Sequence, residues 1–202
     1  MKKTFYLFFT LFMLIMLIGL LPIHGESELY DNVLRLHVLA NSDSEADQAL
    51  KLKVRDSVIS EVGAMVSECK SFEEAREILS SGENLTKLKS AAERTVAAEG
   101  YSYPVSISLG EEKYPRKNYE SLCFPSGSYT SLRVTIGEAE GKNWWCVLFP
   151  QLCLGAASAK NNEETFIEAG FTPEQYRIVT ETEKPQYEVK FKLLEIIEET
   201  IG

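Results

Sequence analysis

The chain has 202 residues, of which 45% are hydrophobic and 25% charged, a composition that excludes an intrinsically disordered protein. Its formal net charge is -9. Because Lys2 and Lys3 fall in an apolar leader, the remainder carries 19 basic residues against 30 acidic ones. Such an acidic surface disfavours nucleic acid and anionic lipid headgroups as partners.

The first 25 residues are typical of an export segment. Lys2 and Lys3 precede an apolar run from Phe5 to Leu21, which gives the charged start and apolar body of a signal peptide. Cleavage after Gly25 would remove this segment, whereas an uncleaved run could hold the chain at a membrane as an N-terminal anchor. In both cases we predict that residues 26–202 form one extracytoplasmic α/β domain.

Residues 33–40 are predicted to form the first strand. Apolar side chains alternate there with polar ones, so the apolar set would face the core, and Arg35 and His37 would face the other way. His37 is the only histidine outside the leader, so any scheme that needs a general base converges on it.

A long helix is predicted directly after this strand. Ser42 with Glu45, or Ser44 with Asp47, can form a capping box in which each residue satisfies a backbone N–H of the first turn. Apolar residues then recur three and four positions apart through residues 50–66. This spacing predicts one buried stripe along the helix.

Two shorter helices and a set of strands follow. Ser71 with Glu74 predicts the start of the second helix, and the third helix is expected from Asn84 to Glu99, with Gly100 as its left-handed cap. The apolar period then changes to 2, which is typical of strands. The predicted strands, with a polar turn at 111–117, are 105–109, 119–124, 129–136 and 144–149.

Together these elements predict an α+β fold in two layers. We expect an antiparallel meander sheet plus the N-terminal strand, covered by helices. The last strand holds Trp144 and Trp145, and its six consecutive apolar residues predict a central strand that is covered on both faces. The C-terminal elements are predicted as a helix at 163–169, an edge strand at 176–180 and a helix at 186–200.

Because the chain is predicted to be exported, a role in disulfides is considered for its four cysteines before a catalytic role. Cys146 with Cys153 is the best-placed pair, because Pro150 can turn the chain back towards the strand end. Cys69 with Cys123 could also pair across the domain. A buried free thiol is the alternative for each cysteine, because cysteine packs as a small hydrophobic residue.

The residues that could carry catalysis converge on His37. A Cys146–His37 or Ser42–His37 dyad can be drawn, with Asp43 as the orienting carboxylate. No nucleophile elbow, phosphate-binding glycine loop or metal triad accompanies it, so we predict no catalytic residue, cofactor or metal. A binding or signalling role is favoured instead. The candidate partner-binding residues are Arg35, His37, Asn41, Asp43, Lys51, Trp144 and Trp145.

Four blocks of the sequence carry a resemblance to a known family. They are LRLHVLANSDS at 34–44, DQALKLKVRD at 47–56, FPSG at 124–127 with Tyr129, LRV at 132–134 and Gly137, and GKNWWCVLFPQLC at 141–153. In these blocks the chain resembles the stage II sporulation protein R family. The blocks are specific and together extend over about residues 30 to 155.

The resemblance implies a developmental signal of endospore-forming bacteria. Such a protein is made in the forespore and exported into the space between the forespore and mother-cell membranes. There it would activate a membrane-embedded aspartic protease that processes pro-sigma-E. The chain would then be an activator and not an enzyme. The alternative is a secreted cysteine-dependent hydrolase that acts on cell wall or peptide. Independently of the resemblance, the apolar N-terminal segment could associate transiently with a membrane.

Overall fold

The structure is a computed structural model that describes residues 2–19, 26–119, 122–150, 167 and 170–181. The chain divides into two compact units, of which one holds helix α1 (Lys2–Gly19) and the other spans Glu26–Glu183. Within the described ranges, no helix combines the length and the apolar character needed to cross a membrane. Export and the fate of the leader stay predictions.

The larger unit confirms the predicted α+β class. Its described helices are α2 (Glu26–Asn32), α3 (Glu45–Val66), α4 (Phe72–Ser80), α5 (Gly82–Ala98) and α6 (Pro173–Glu181). Its described strands are β1 (Leu34–Leu39), β2 (Val105–Tyr114), β3 (Lys117–Tyr119), β4 (Leu122–Phe124), β5 (Gly127–Ile136) and β6 (Asn143–Phe149).

Strand β1 lies inside a four-stranded sheet with the order β2-β5-β1-β6. It is parallel to β5 and antiparallel to β6, while β2 is antiparallel to β5 and β3–β4 form a separate hairpin. The predicted meander is therefore wrong for β6, because β1 is inserted between β5 and β6. Among the described strands β6 lies at an edge, so its predicted central position is also wrong. The inner strand is β1, whose six residues are all buried.

The helix starts follow the predicted capping chemistry. Ser44 is the cap of α3, since its Oγ accepts the N–H of Asp47 at 3.2 Å. Ser71 caps α4 in the same way, accepting the N–H of Glu74 at 3.2 Å. After α5, Gly100 has φ +83°, the left-handed conformation that glycine adopts without a steric cost.

The sheet separates two apolar clusters. One face, which carries Leu36, Val38 and Leu132, packs against α3, α4 and α5. The other face lies beneath α2, α6 and the β3–β4 hairpin. The buried members of this second cluster are Leu29, Val33, Tyr114, Phe124, Tyr129, Val147, Phe171 and Val179. Both faces of β1 are thus covered, which explains why all six of its residues are buried.

Residues 176–180 lie in helix α6, so the predicted edge strand is wrong. The N–H of Gln175 donates to Thr172 Oγ1 at 3.2 Å, and the N–H of Thr172 donates to Gln175 Oε1 at 3.0 Å. This is a capping box, and Pro173 occupies the first helical position, where its missing N–H costs nothing. The helices predicted at 163–169 and 186–200 lie outside the described residues, apart from Ile167.

Candidate functional site

Arg35 is fully buried on the sheet face beneath the β3–β4 hairpin. Its guanidinium carbon lies 4.4 Å from the centre of the Tyr114 ring and 5.0 Å from the ring centres of Phe124 and Tyr129. Its Nε donates to the carbonyl oxygen of Cys146 at 3.1 Å. A cation among aromatic faces is favourable because the ring quadrupole attracts it once water is removed. Arg35 therefore joins β1 to β2, β4, β5 and β6 inside the fold.

His37 belongs to a chain of polar contacts that crosses the whole sheet. Its Nδ1 is 2.8 Å from Glu112 Oε1, and its Nε2 is 2.7 Å from Asn143 Oδ1. Ser131 Oγ donates to Glu112 Oε2 at 3.0 Å, and the Tyr114 hydroxyl is 2.6 Å from Ser131 Oγ. Each strand of the sheet contributes a member. A slip of one residue would move a member to the opposite face, so the network specifies the strand register.

Two loops at the end of the sheet, residues 40–44 after β1 and residues 137–142 after β5, bind each other. We call them the interlocked loops. Asn41 Oδ1 accepts the N–H of Glu138 at 3.0 Å, and Asp43 Oδ1 accepts a backbone N–H of the second loop at 2.7 Å. Two backbone hydrogen bonds, of 3.0 and 3.2 Å, also join the loops. These four hydrogen bonds hold the two loops together.

Two glycines allow this close approach. A β-carbon at Gly137 would collide with the side-chain amide of Asn41, and Gly137 also has φ +59°. A β-carbon at Gly141 would collide with the carbonyl group of Ser42. Both positions therefore require glycine, and Gly141 the more so because a backbone carbonyl cannot rotate away as a side chain can.

Lys51 lies buried beneath the interlocked loops. Its Nζ donates to Gln48 Oε1 at 2.6 Å and to the carbonyl oxygen of Lys142 at 2.8 Å. Burial lowers the pKa of Lys51, and the nearby charge of Asp43 acts in the opposite direction. The side chain thus serves to hold helix α3 against the second loop.

Asp47 anchors the first loop to the start of α3. Its Oδ2 accepts hydrogen bonds from Ser42 Oγ at 2.6 Å and from Asn41 Nδ2 at 2.9 Å. These bonds, that of Ser42 first, hold the pKa of Asp47 below its ordinary value of 3.8, although burial acts to raise it. The carboxylate is therefore a structural acceptor that must be ionised to work at full strength.

Replacement of Asp47 should destabilise the protein in a pH-dependent way. Because its pKa is lower in the folded state, the stability that Asp47 adds is present above its unfolded pKa and is lost as pH falls through the folded value. We expect Asp47→Asn to lower the free energy of unfolding by about 1–3 kcal/mol at neutral pH. On acidification the difference from the unmodified protein should shrink.

Urea unfolding at a series of falling pH values measures this difference. Asp43→Asn is the matched control, because an asparagine oxygen can still accept the N–H of Lys142. A deficit for Asp47→Asn that stays constant as the pH falls would show that the ionised carboxylate contributes nothing specific.

The two tryptophans of β6 lie on opposite faces of the strand. Trp144 is 36% exposed, and the guanidinium carbon of Arg55 lies 4.4 Å from its ring centre. Trp145 is half-buried, with its ring centre 5.6 Å from that of His37 and 3.8 Å from Lys117 Nζ. Each indole thus has a cation over its ring, and Trp144 also offers apolar surface to solvent.

Of the seven residues predicted to bind a partner, three are interior. Arg35, His37 and Lys51 are 0%, 6% and 4% exposed. A direct contact with a partner needs exposed atoms, so the structure gives these three side chains internal roles instead. Asn41 is half-buried and is used between the interlocked loops.

The other predicted partner-binding residues are accessible. Asp43 and Trp144 are exposed, and Trp145 is half-buried. Asp43 already accepts the N–H of Lys142, which fixes its carboxylate at the loop surface. Partner binding by these three residues stays a prediction.

Neither drawn catalytic dyad is formed. Cys146 stands opposite Leu36 in the β1–β6 ladder, and Leu36 immediately precedes His37. Paired residues share a face and neighbours alternate, so the side chains of Cys146 and His37 lie on opposite faces of the sheet. Ser42 instead donates its hydroxyl to Asp47. In the part of the chain that the structure describes, no three His, Cys, Asp or Glu side chains are grouped to hold a metal ion.

Cys69 and Cys123 are free thiols, so their predicted pairing is wrong. Cys123 is buried in the hairpin, where its Sγ accepts a hydrogen bond from Arg116 Nε at 2.9 Å. Burial raises the pKa of Cys69 and so disfavours its reactive thiolate. Cys153 lies outside the described residues, and its pairing with Cys146 stays a prediction.

Sequence reasoning missed the partners of the buried polar residues, namely Glu112, Tyr114, Ser131 and Asn143. The predicted turn at 111–117 is wrong in its first half, because β2 pairs with β5 without interruption as far as Tyr114. The missed signal is the strand period itself. Continued past residue 109, it places Glu112 and Tyr114 on the same face as Arg35 and His37.

Comparison with known proteins was made against family models, curated proteins and solved structures. The model of the family described as stage II sporulation protein R matches residues 30–159. The chain is also similar to stage II sporulation protein R of Bacillus subtilis (strain 168), at 41% identity over 123 residues. This alignment covers 61% of the chain and 54% of the relative, so it spans about half the relative's length. No solved structure matches.

The fold and the site define an α+β protein in which the polar residues of β1 are buried and make contacts inside the fold. Its accessible features are the interlocked loops and a tryptophan beside α3. The family model covers more than half of the chain, from just before β1 to beyond β6. The chain therefore belongs to the stage II sporulation protein R family, which confirms the resemblance carried by the four sequence blocks.

Proposed function

We propose that the protein is an exported signal of endospore formation. In this proposal it activates a membrane-embedded aspartic protease of the mother cell, which then processes pro-sigma-E. The observation that carries the proposal is family membership across residues 30–159, the region that contains the complete described sheet. The activity of the protease would reside in the partner, and this chain would supply a binding surface.

The proposed location is the space between the forespore and mother-cell membranes. The charged start and apolar body of residues 1–25 support export, by cleavage of the leader or by its retention as an anchor. The acidic surface supports a protein partner over nucleic acid or an anionic membrane surface.

The interior roles of the polar β1 residues support a signal over the alternative cysteine-dependent hydrolase. That hydrolase would need a thiolate beside a general base. The side chains of Cys146 and His37 point to opposite faces of the sheet. The two ring nitrogens of His37 lie within hydrogen-bond distance of Glu112 and Asn143. The geometry thus favours scaffold roles for the residues that a hydrolase would use.

Co-expression tests the proposal. Pro-sigma-E and the candidate membrane-embedded aspartic protease are produced together in a non-sporulating host, with the full chain, with a variant lacking residues 2–25, or with neither. We expect the shortened sigma factor to accumulate only with the full chain, because the leaderless variant would stay in the cytoplasm. Immunoblotting of the sigma factor gives the readout. Processing without the chain, or none in its presence, would contradict the proposal.

A further inference from the structure

An exposed apolar and aromatic surface lies beside helix α3. Leu52 and Trp144 are each 36% exposed. Among the residues between 26 and 150 whose side chains the structure describes, no other large hydrophobic side chain is as exposed. Arg55 connects them. We call the surface formed by Leu52, Arg55 and Trp144 the α3–β6 patch.

The geometry of helix and strand makes the patch continuous. Leu52 and Arg55 are three positions apart on α3, so their side chains are neighbours on one helix face. The Arg55 guanidinium lies over the indole of Trp144, which projects from the exposed start of β6. One aliphatic, one cationic and one aromatic group therefore follow each other across the flank of α3.

The chemistry of the patch is that of a binding surface. Tryptophan and arginine are the residue types most enriched among those that dominate binding energy at protein interfaces. The exposed part of the Trp144 side chain does not contribute to packing within the fold. Arg55 is largely buried under its neighbours, at 18% side-chain exposure, so its guanidinium is held in one orientation before a partner arrives.

The local charge indicates what the patch would accept. The chain is acidic as a whole, yet positive charge gathers on this flank. Besides burial, the positive charges of Lys142 and Arg55 lower the pKa of Lys51, because the three groups lie close together. Lys53 instead pairs with Glu99 after α5. Asp56 engages Arg55 through a single oxygen, Oδ1, at 2.8 Å from Nε and 2.7 Å from Nη2. A guanidinium has five N–H donors, so it can bind a second carboxylate while keeping the first.

We infer that the α3–β6 patch is the surface on which the protein partner docks, and that the partner presents there a carboxylate next to an apolar side chain. The carboxylate would bind Arg55, and the apolar side chain would pack between Leu52 and the indole of Trp144. This inference rests on the proposed function and adds to it the contact face and the chemistry of the segment that binds.

The co-expression assay described above tests the inference with four variants. Arg55→Glu and Leu52→Asn alter the patch, and we expect each to reduce pro-sigma-E processing at least tenfold at equal amounts of exported protein. Arg55→Gln should lose less than Arg55→Glu, because a neutral side chain does not repel a carboxylate. Arg94→Glu is the matched control, since Arg94 is a 69% exposed helical arginine beside Glu61.

The outcomes separate the inference from the proposed function. Leu52 is exposed, so Leu52→Asn should keep the thermal unfolding midpoint of the unmodified chain and report on docking alone.

Patch variants that activate normally would place the docking surface elsewhere and leave the proposed function standing. Equal loss in Arg94→Glu would reduce the effect to net charge, and equal loss in Arg55→Gln and Arg55→Glu would exclude a partner carboxylate. A shift in oligomeric state with activation intact would assign the patch to a second copy of the chain. If the unmodified chain triggers no processing, the proposed function itself fails.

Discussion

Arg35→Ala is expected to lower the free energy of unfolding by about 3–5 kcal/mol. The substitution leaves a cavity among Tyr114, Phe124 and Tyr129, and large-to-alanine changes in a core cost about 2–5 kcal/mol. It also removes the hydrogen bond from Nε to the carbonyl oxygen of half-buried Cys146, which adds to the loss. The hairpin should detach from the sheet first, because the guanidinium packs against its Phe124 ring.

Arg35→Met separates packing from charge. Methionine fills much of the same volume, so the cost of a cavity should largely disappear. The remaining loss of free energy of unfolding should be about 1–2 kcal/mol, because the cation–aromatic contacts and the hydrogen bond are still absent. Urea unfolding followed by tryptophan fluorescence measures both variants. Arg133→Ala, at an arginine with a 48% exposed side chain on β5, is the control and should change stability by less than about 0.5 kcal/mol. If Arg35→Ala were as stable as Arg133→Ala, the central role of Arg35 would be wrong.

Gly141→Ala should break the interlocked loops. The new β-carbon would collide with the Ser42 carbonyl, so one loop must move and give up hydrogen bonds to the other. Forcing an extra methyl group into a closely packed site costs about 1–3 kcal/mol, and more where backbone is the obstacle. We expect the loss of free energy of unfolding at the upper end of this range.

Gly110→Ala is the matched control for this prediction. Gly110 lies in β2, and a β-carbon there would meet nothing within 4 Å. Its replacement should be neutral, or stabilising by up to about 1 kcal/mol, because alanine restricts the unfolded chain. Chemical denaturation compares the two, and amide hydrogen exchange at Glu138 and Lys142 should accelerate in Gly141→Ala alone. Equal stability of the two variants would mean that the loops can separate freely.

Much of the helical part of the fold follows from the sequence because helix signals are local. The serines that cap α3 and α4, and Gly100 after α5, act within a single turn of the chain, so their chemistry predicts where a helix begins or ends. Helix α6 carried the same kind of signal in Thr172 to Gln175. The segment also holds the β-branched residues Ile178, Val179 and Thr180, whose preference for strands is weak against a cap and an N-terminal proline.

The strand order could not be predicted because it depends on contacts between distant segments. The apolar run of β6 indicates burial, but burial of its second half comes from the cores on the two faces of the sheet and does not require two strand neighbours. Alternation in β1 correctly separated Arg35 and His37 from the apolar face. It could not reveal that an aromatic hairpin and a polar network cover that second face, since their residues lie far away in the sequence.

The candidate site was predictable in its residues and not in their roles. Asn41 and Asp43 are polar loop residues of the kind that bind partners, yet both accept backbone N–H groups of the second loop. Only the positions of Gly137 and Gly141 opposite them explain this use. Trp144 was singled out for its type, whereas its neighbours Leu52 and Arg55 belong to a helix whose outward face looked like an ordinary solvated surface.

The insertion of β1 between β5 and β6 has a consequence for how the protein acquires its structure. In both ladders β1 pairs with residues roughly 100 positions further along the chain, a high contact order for a domain of this size. During synthesis from the N-terminus, the apolar residues of β1 emerge early and cannot pair until β5 and β6 have been made. Folding should therefore be slow and late, and a truncation that removes residues 26–39 would take out an inner strand of the sheet instead of trimming an edge.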